Sequence, residues 1–117
     1  MASDSEKFFA EWPTRLEKAK VAMPDAVKGF GGLFQAVMKA GALSVRDKKL
    51  IALGIGMTVR CDPCINLHVQ KCLEAGATPA QVLEAASVAV MMQGGPTFTY
   101  LPKVVEALEA LGEKKEA

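Results

Sequence analysis

The sequence predicts an all-α fold, a single compact domain of about six helices, and three observations carry that reading. Apolar residues recur at three- and four-residue spacing almost everywhere, which is the period of a helix with one buried face. Proline, glycine and short polar residues fall between the periodic segments, where helices start and stop. The chain has 117 residues and is 50% apolar, enough for one core without a linker or second domain. The domain is expected to span residues 1–117, with the charged tail 113–117 frayed.

Ser5 to about Val21 reads as an amphipathic helix carrying Phe8, Phe9, Trp12 and Leu16, with Pro13 implying a late start or a kink. Pro24 suits a first helical turn. Val27, Phe30, Phe34, Val37 and Met38 follow it at helical spacing until Gly41 offers a C-terminal stop. The run "GFGG", Gly29 to Gly32, lacks a preceding strand and a following Lys-Ser/Thr pair, so close helix contact is preferred to a phosphate loop. Ser44 with Asp47 three residues on marks a third helix, apolar all round from Leu50 to Val59 apart from Thr58 and therefore expected to be buried. Asp62 as N-cap and Pro63 as the first helical residue start a fourth, running to Gly76. Thr78, Pro79 and Gln81 start a fifth, again nearly all apolar from Ala85 to Met92, and "QGGP" ends it. The last helix carries the stripe Phe98, Leu101, Val104, Val105, Leu108 and Leu111. Two helices buried on every side are too many for a six-helix monomer, so an oligomer is expected.

Fourteen basic residues nearly cancel thirteen acidic ones, and nothing resembles the basic stripe that a phosphate backbone requires, so no nucleic-acid partner is expected. The start "MASDSEKFFAEW" has neither a cationic nor an apolar signal region, and no apolar run reaches the roughly 18 residues of a membrane span. A soluble, cytoplasmic protein is the expectation. In a reducing compartment, clustered cysteines point to redox or metal chemistry more than to a staple.

All three cysteines and the single histidine lie in "RCDPCINLHVQKC", Arg60 to Cys72. On a helix starting at Asp62, Cys64, His68 and Cys72 stack one turn apart, with Cys61 just before the first turn. A thiol there feels the unpaired backbone N–H groups, which stabilise thiolate, so Cys64 is the natural nucleophile. His68 is placed to take its proton, and Cys61 is near enough to close a disulfide onto it. Cys72, beside Leu73, reads as core. Zinc is the rival, since the four side chains have ligand chemistry. Ligands along one straight helical stripe, however, do not surround an ion tetrahedrally, and neither metal nor cofactor is expected.

The stretch "CDPCINLH" is similar to the Cys-x-x-Cys-x-x-x-His signature of the carboxymuconolactone decarboxylase family, in particular its alkylhydroperoxidase D-like branch. The likeness extends to "LSVRDKKLIALGI" before it, "EAGATPAQVLEA" after it and "GGP" ahead of the last helix. The resemblance implies a helical fold that assembles as a homo-oligomer, a homohexamer or alternatively a trimer. It implies a thiol-dependent peroxidase or disulfide reductase acting on a peroxide or disulfide substrate. In that chemistry Cys64 is oxidised, Cys61 resolves it as a redox-active disulfide, His68 relays the proton and a dithiol reductant protein regenerates the pair. Two departures stand out. The family's relay glutamate falls, twelve residues before Cys61, on Lys49, which supports no histidinium but can stabilise a nearby thiolate. Pro63 stands where the best-studied branch has a histidine. Two other readings remain: a family decarboxylase acting on a lactone acid, and a non-enzymatic redox-sensing oligomer, which Lys49 favours.

Overall fold

The computed structural model describes residues 1–116, with side chains through Gly112. Its elements are α1 (Asp4–Ala22), α2 (Pro24–Met38), α3 (Val45–Thr58), α4 (Asp62–Glu74), α5 (Pro79–Gln93), the single turn α6 (Gly95–Phe98) and α7 (Leu101–Glu116). No strand occurs among the described residues, so the all-α expectation is met by six full helices and one short turn. The backbone of α7 stays helical through Glu116, while the side chains of the tail, where fraying was expected, lie outside the described residues.

Local chemistry sets most of the helix starts. Ser3 and Glu6 form a reciprocal capping box on α1, each backbone N–H meeting the other's side chain at 3.1 Å, so α1 begins well ahead of Pro13 and runs through it. Thr78 and Gln81 form the second capping box, on α5. Ser44 caps α3 by accepting from the Asp47 N–H at 3.0 Å, without the reciprocal bond that a longer acid would make. The end of α2 departs from expectation. Gly41 is not the stop: α2 ends on extended Lys39, and the Lys48 ammonium donates to the carbonyls of Val37 and Lys39, both at 2.8 Å. A cation there complements the negative end of the helix.

The core lies where α3, α4, α5 and α7 meet. Leu53 and Met57 of α3 pack with Ile65 and Val69 of α4, Val82 and Ala86 of α5, and Val104 and Ala107 of α7. Ala107 and Ala110 carry much of the α7 face, whereas Val105 and Phe98, both expected on the buried stripe, are exposed. Small residues there let α7 approach closely. A polar tie fixes α1 across this body: the Ser5 N–H donates to the Glu106 carboxylate at 2.9 Å, and buried Ser5 Oγ donates to Asn66 Oδ1 at 2.7 Å.

The two helices expected to be buried all round are covered on one side only. Ile51 and Ile55 of α3, Val59 at its C-cap, and Val88, Met91 and Met92 of α5 are exposed, and α3 and α5 bound an apolar groove of about 360 Å³. Helix α2 buries no residue at all. Phe30 is 69% exposed, Leu33 59% and Val37 55%. The glycines of "GFGG" have nothing within 4 Å of where a Cβ would stand, so the close helix contact expected there does not occur within one chain.

Leu53 is completely buried at the centre of four helices. The expected cost of Leu53→Ala is about 2–5 kcal/mol, from lost transfer energy plus a cavity; urea denaturation measures it, and a loss under about 1 kcal/mol would contradict this packing.

Candidate functional site

The turn between α3 and α4 delivers both cysteines of the pair. Arg60 adopts a left-handed backbone, φ 54°, a conformation that costs a non-glycine residue on the order of 1 kcal/mol. It reverses the chain so that the Arg60 and Cys61 N–H groups donate to the Met57 and Gly56 carbonyls, each at 3.1 Å. Cys61, not Asp62, then takes the N-cap of α4, and Asp62 becomes the first helical residue. Asp62 instead pairs with Lys103 of α7 at 3.1 Å, tying the start of α4 to the last helix.

Cys61 and Cys64 are joined as a disulfide, with Cα atoms 5.2 Å apart. The backbone N–H of Cys64 donates to Cys61 Sγ at 3.2 Å. In this oxidised geometry the helix terminus therefore gives its free N–H to Cys61, whereas the sequence reading assigned the thiolate to Cys64. Both sulfurs belong to the first turn, where the helix dipole favours negative charge. Gly56 eases this placement: a Cβ on it would stand 3.1 Å from the Cβ of Cys64, a tighter contact than side chains ordinarily make.

His68 follows one turn along α4 and is half-buried, its ring stacked on Phe34 with centroids 6.3 Å apart. Its Nδ1 is shut away from solvent with no hydrogen-bond partner among the described residues. Burial holds His68 below its ordinary value of 6.5, and the positive charges of Lys49 and Lys71 add to that. The acids considered as substitutes for the missing relay glutamate go elsewhere: Asp47 pairs with Arg46 at 3.6 Å, and Asp62 with Lys103. Lys49 is buried, at 8% exposure, and its ammonium lies 4.2 Å from the centre of the Phe34 ring. Burial, then repulsion from Lys71, lowers its pKa. Cys72 is fully buried, and burial pushes its thiol up to about 11, in keeping with a core role. Among the described residues no three His, Cys, Asp or Glu side chains are grouped to hold a metal ion. Nor is any helix there long and apolar enough to cross a membrane.

The structure thus joins Cys61 to Cys64 at the start of α4 and sets Lys49 of α3 near enough to His68 for its charge to reach the imidazole. Phe34 and Lys71 join them and were not singled out from the sequence. Lys71 follows His68 by three positions, a spacing that places both on one helix face and could have flagged it. Phe34 comes from α2, and only the tertiary fold brings it here.

Residues 24–110 match the family model described as the carboxymuconolactone decarboxylase family. The chain belongs to that family. A crystal structure of a family protein from Legionella pneumophila superimposes with a TM-score of 0.81 at 38% identity, covering 95% of this chain and 97% of that one. A family protein from Thermotoga maritima, whose description suggests a part in the antioxidative response, gives a TM-score of 0.80 at 30% identity over 92% of both chains. An uncharacterized protein of the cox locus of Paracoccus denitrificans is 33% identical over 94 residues, 80% of this chain and 82% of its own length.

The sign of the His68 shift gives a pH test. Its folded value lies below 6.5, so in the window from 6.5 down to that value the unfolded chain holds a proton that the folded chain does not. Stability is therefore fully present above this window and falls as the pH drops through it. His68→Gln should lose less stability on acidification than the natural protein; parallel urea midpoints for the two proteins across the window would contradict the burial of a neutral imidazole.

Proposed function

We propose that this family member is a thiol-dependent peroxidase or disulfide reductase of the alkylhydroperoxidase D-like kind, working in the reducing cytoplasm. The observation that carries the reading is the Cys61–Cys64 pair at the N-terminus of α4 with His68 one turn further on. The Thermotoga relative's description points the same way.

In the peroxidase cycle the Cys64 thiolate attacks the peroxide O–O bond, an S–O bond forms, and the distal oxygen leaves as alkoxide or hydroxide. His68 in its neutral form is suited to take the thiol proton and pass it to the leaving oxygen. The Cys61 thiol then displaces water from the Cys64 sulfenic acid, closing the disulfide, and a dithiol protein reduces it by exchange. For a disulfide substrate, the same thiolate attacks sulfur instead. Lys49 cannot orient the imidazole as a carboxylate would, so turnover is expected to be slow.

Peroxide consumption by the reduced protein, followed with intact mass, tests this. The natural protein should lose two hydrogens on oxidation, Cys64→Ser should consume no peroxide, and Cys61→Ser should stop at a sulfenic acid. Lys49→Glu should raise the rate about a hundredfold or more, the usual range of a restored proton relay. A sulfenic acid on Cys61 in the Cys64→Ser protein would reverse the two roles. No consumption by either the natural or the Lys49→Glu protein would favour a redox-sensing oligomer, the reading that the loss of the glutamate supports.

A homo-oligomer, a hexamer or alternatively a trimer, is part of the same proposal. Support comes from the uncovered apolar side chains of α2, α3 and α5, the kind of exposed surface that marks an interaction site when it is contiguous. Sedimentation equilibrium should give three or six times the 12.4 kDa chain mass, and a 12.4 kDa particle would exclude assembly.

A further inference from the structure

The charges gathered around the Phe34 ring have no counter-charge in contact with them. The Lys49 ammonium lies 4.2 Å from the ring centre and the Lys71 ammonium 5.1 Å, both within cation–π reach, and the His68 ring is stacked on the same phenyl group. Neither lysine makes a hydrogen bond or ion pair to any described residue. The one carboxylate whose charge reaches Lys49 is that of exposed Glu74, and it forms no ion pair with either amine. The Lys49 stem is packed while its ammonium still reaches solvent, so the ring quadrupole and water are what its charge meets within this chain. Lys49 is more than nine-tenths buried, while half-buried Lys71 opens the cluster to solvent.

We propose that Lys49, Lys71 and His68, gathered around Phe34, form a subsite for the carboxylate of an anionic disulfide or hydroperoxide whose reacting atom lies at the Cys61–Cys64 pair. The inference rests on the redox reading above and names the substrate class for it. An anion there neutralises the two ammonium groups in a site partly removed from water, where charge-assisted hydrogen bonds are strongest. It would also relieve the burial and mutual repulsion that lower the Lys49 pKa. The site adjoins the pair along α4, since His68 follows Cys64 by four residues, one helical turn. A carboxylate side chain at position 49 would fill the same place with the opposite charge and repel such a substrate.

Two chromogenic disulfides separate the subsite from the chemistry. Reduced protein is mixed with 5,5′-dithiobis(2-nitrobenzoate), which bears two carboxylates, and with 4,4′-dithiodipyridine, which bears none. In each case a protein thiolate attacks the reagent's S–S bond, a mixed disulfide forms and one half leaves as thiolate. The second cysteine of the pair then displaces the other half, so one protein dithiol yields one protein disulfide and two reagent thiols. The fast phase reports Cys61 and Cys64, because buried Cys72 reacts slowly.

Lys71→Gln and Lys49→Met should each lower the rate ratio of the dianionic to the neutral reagent roughly three- to tenfold, a typical range for removing one charge from a binding site. Lys20→Gln, an exposed charge on α1, should leave that ratio within about twofold. An unchanged ratio in both cluster variants, or an equal fall with Lys20→Gln, would overturn the subsite while leaving the redox pair intact. Slow reaction of the natural protein with both reagents would sink the redox reading, and the subsite with it.

Discussion

The close contact between Gly56 and Cys64 sets the start of α4 against α3, the pair of helices around which the others pack. Where a side chain on α3 would stand 3.1 Å from the Cβ of Cys64, glycine leaves room for the first turn of α4 to lie directly against the preceding helix. With that approach made, the left-handed turn at Arg60 can hand the N-cap of α4 to Cys61. The two antiparallel helices then share an interface running from the cysteine pair at one end to Lys49, Lys71 and Cys72 at the other. The remaining helices position this pair. Helices α5 and α7 bury its far sides in the core, and α1 is fastened across it by the bonds from Ser5 to Glu106 and Asn66.

The interface is uneven in its electrostatics, and that bears on its chemistry. At the disulfide end, backbone N–H groups and the helix dipole favour negative charge on sulfur. At the other end two ammonium groups and an imidazole are pressed together without a carboxylate in contact, and burial drives both Lys49 and His68 toward their neutral forms. Lys49 sets a positive charge beside the imidazole, whose Nδ1 is buried. That nitrogen faces no acceptor, and Phe34 supplies packing in place of a charge partner.

Local rules explain what was legible in the residues. The caps at Ser44 and Thr78, the proline at the start of α2 and the paired cysteines ahead of His68 are written within four residues of one another, and helix formation is decided at that range. The errors have physical causes. Asp62 looked like the N-cap because carboxylates usually serve there, but its charge was better satisfied by Lys103, forty-one residues away. Gly41 looked like a helix stop, yet a lysine from the next helix met the carbonyls instead. The small-residue run in α2 looked like a close packing surface, yet no described residue of the chain stands within 4 Å of where its Cβ atoms would be.

By itself the sequence determined the helical class, most of the helix starts and the presence of a thiol pair one turn ahead of a histidine, because each depends on neighbours along the chain. Only the tertiary structure decided what surrounds that histidine. Phe34, Lys49, His68 and Lys71 come from three helices, and their meeting depends on how closely α3 can approach α4 and on where α2 is set down. It likewise decided that the apolar runs of α3 and α5 would each be covered on one side only, since a periodic pattern fixes how much apolar surface a helix carries but not how much of it a small domain can bury.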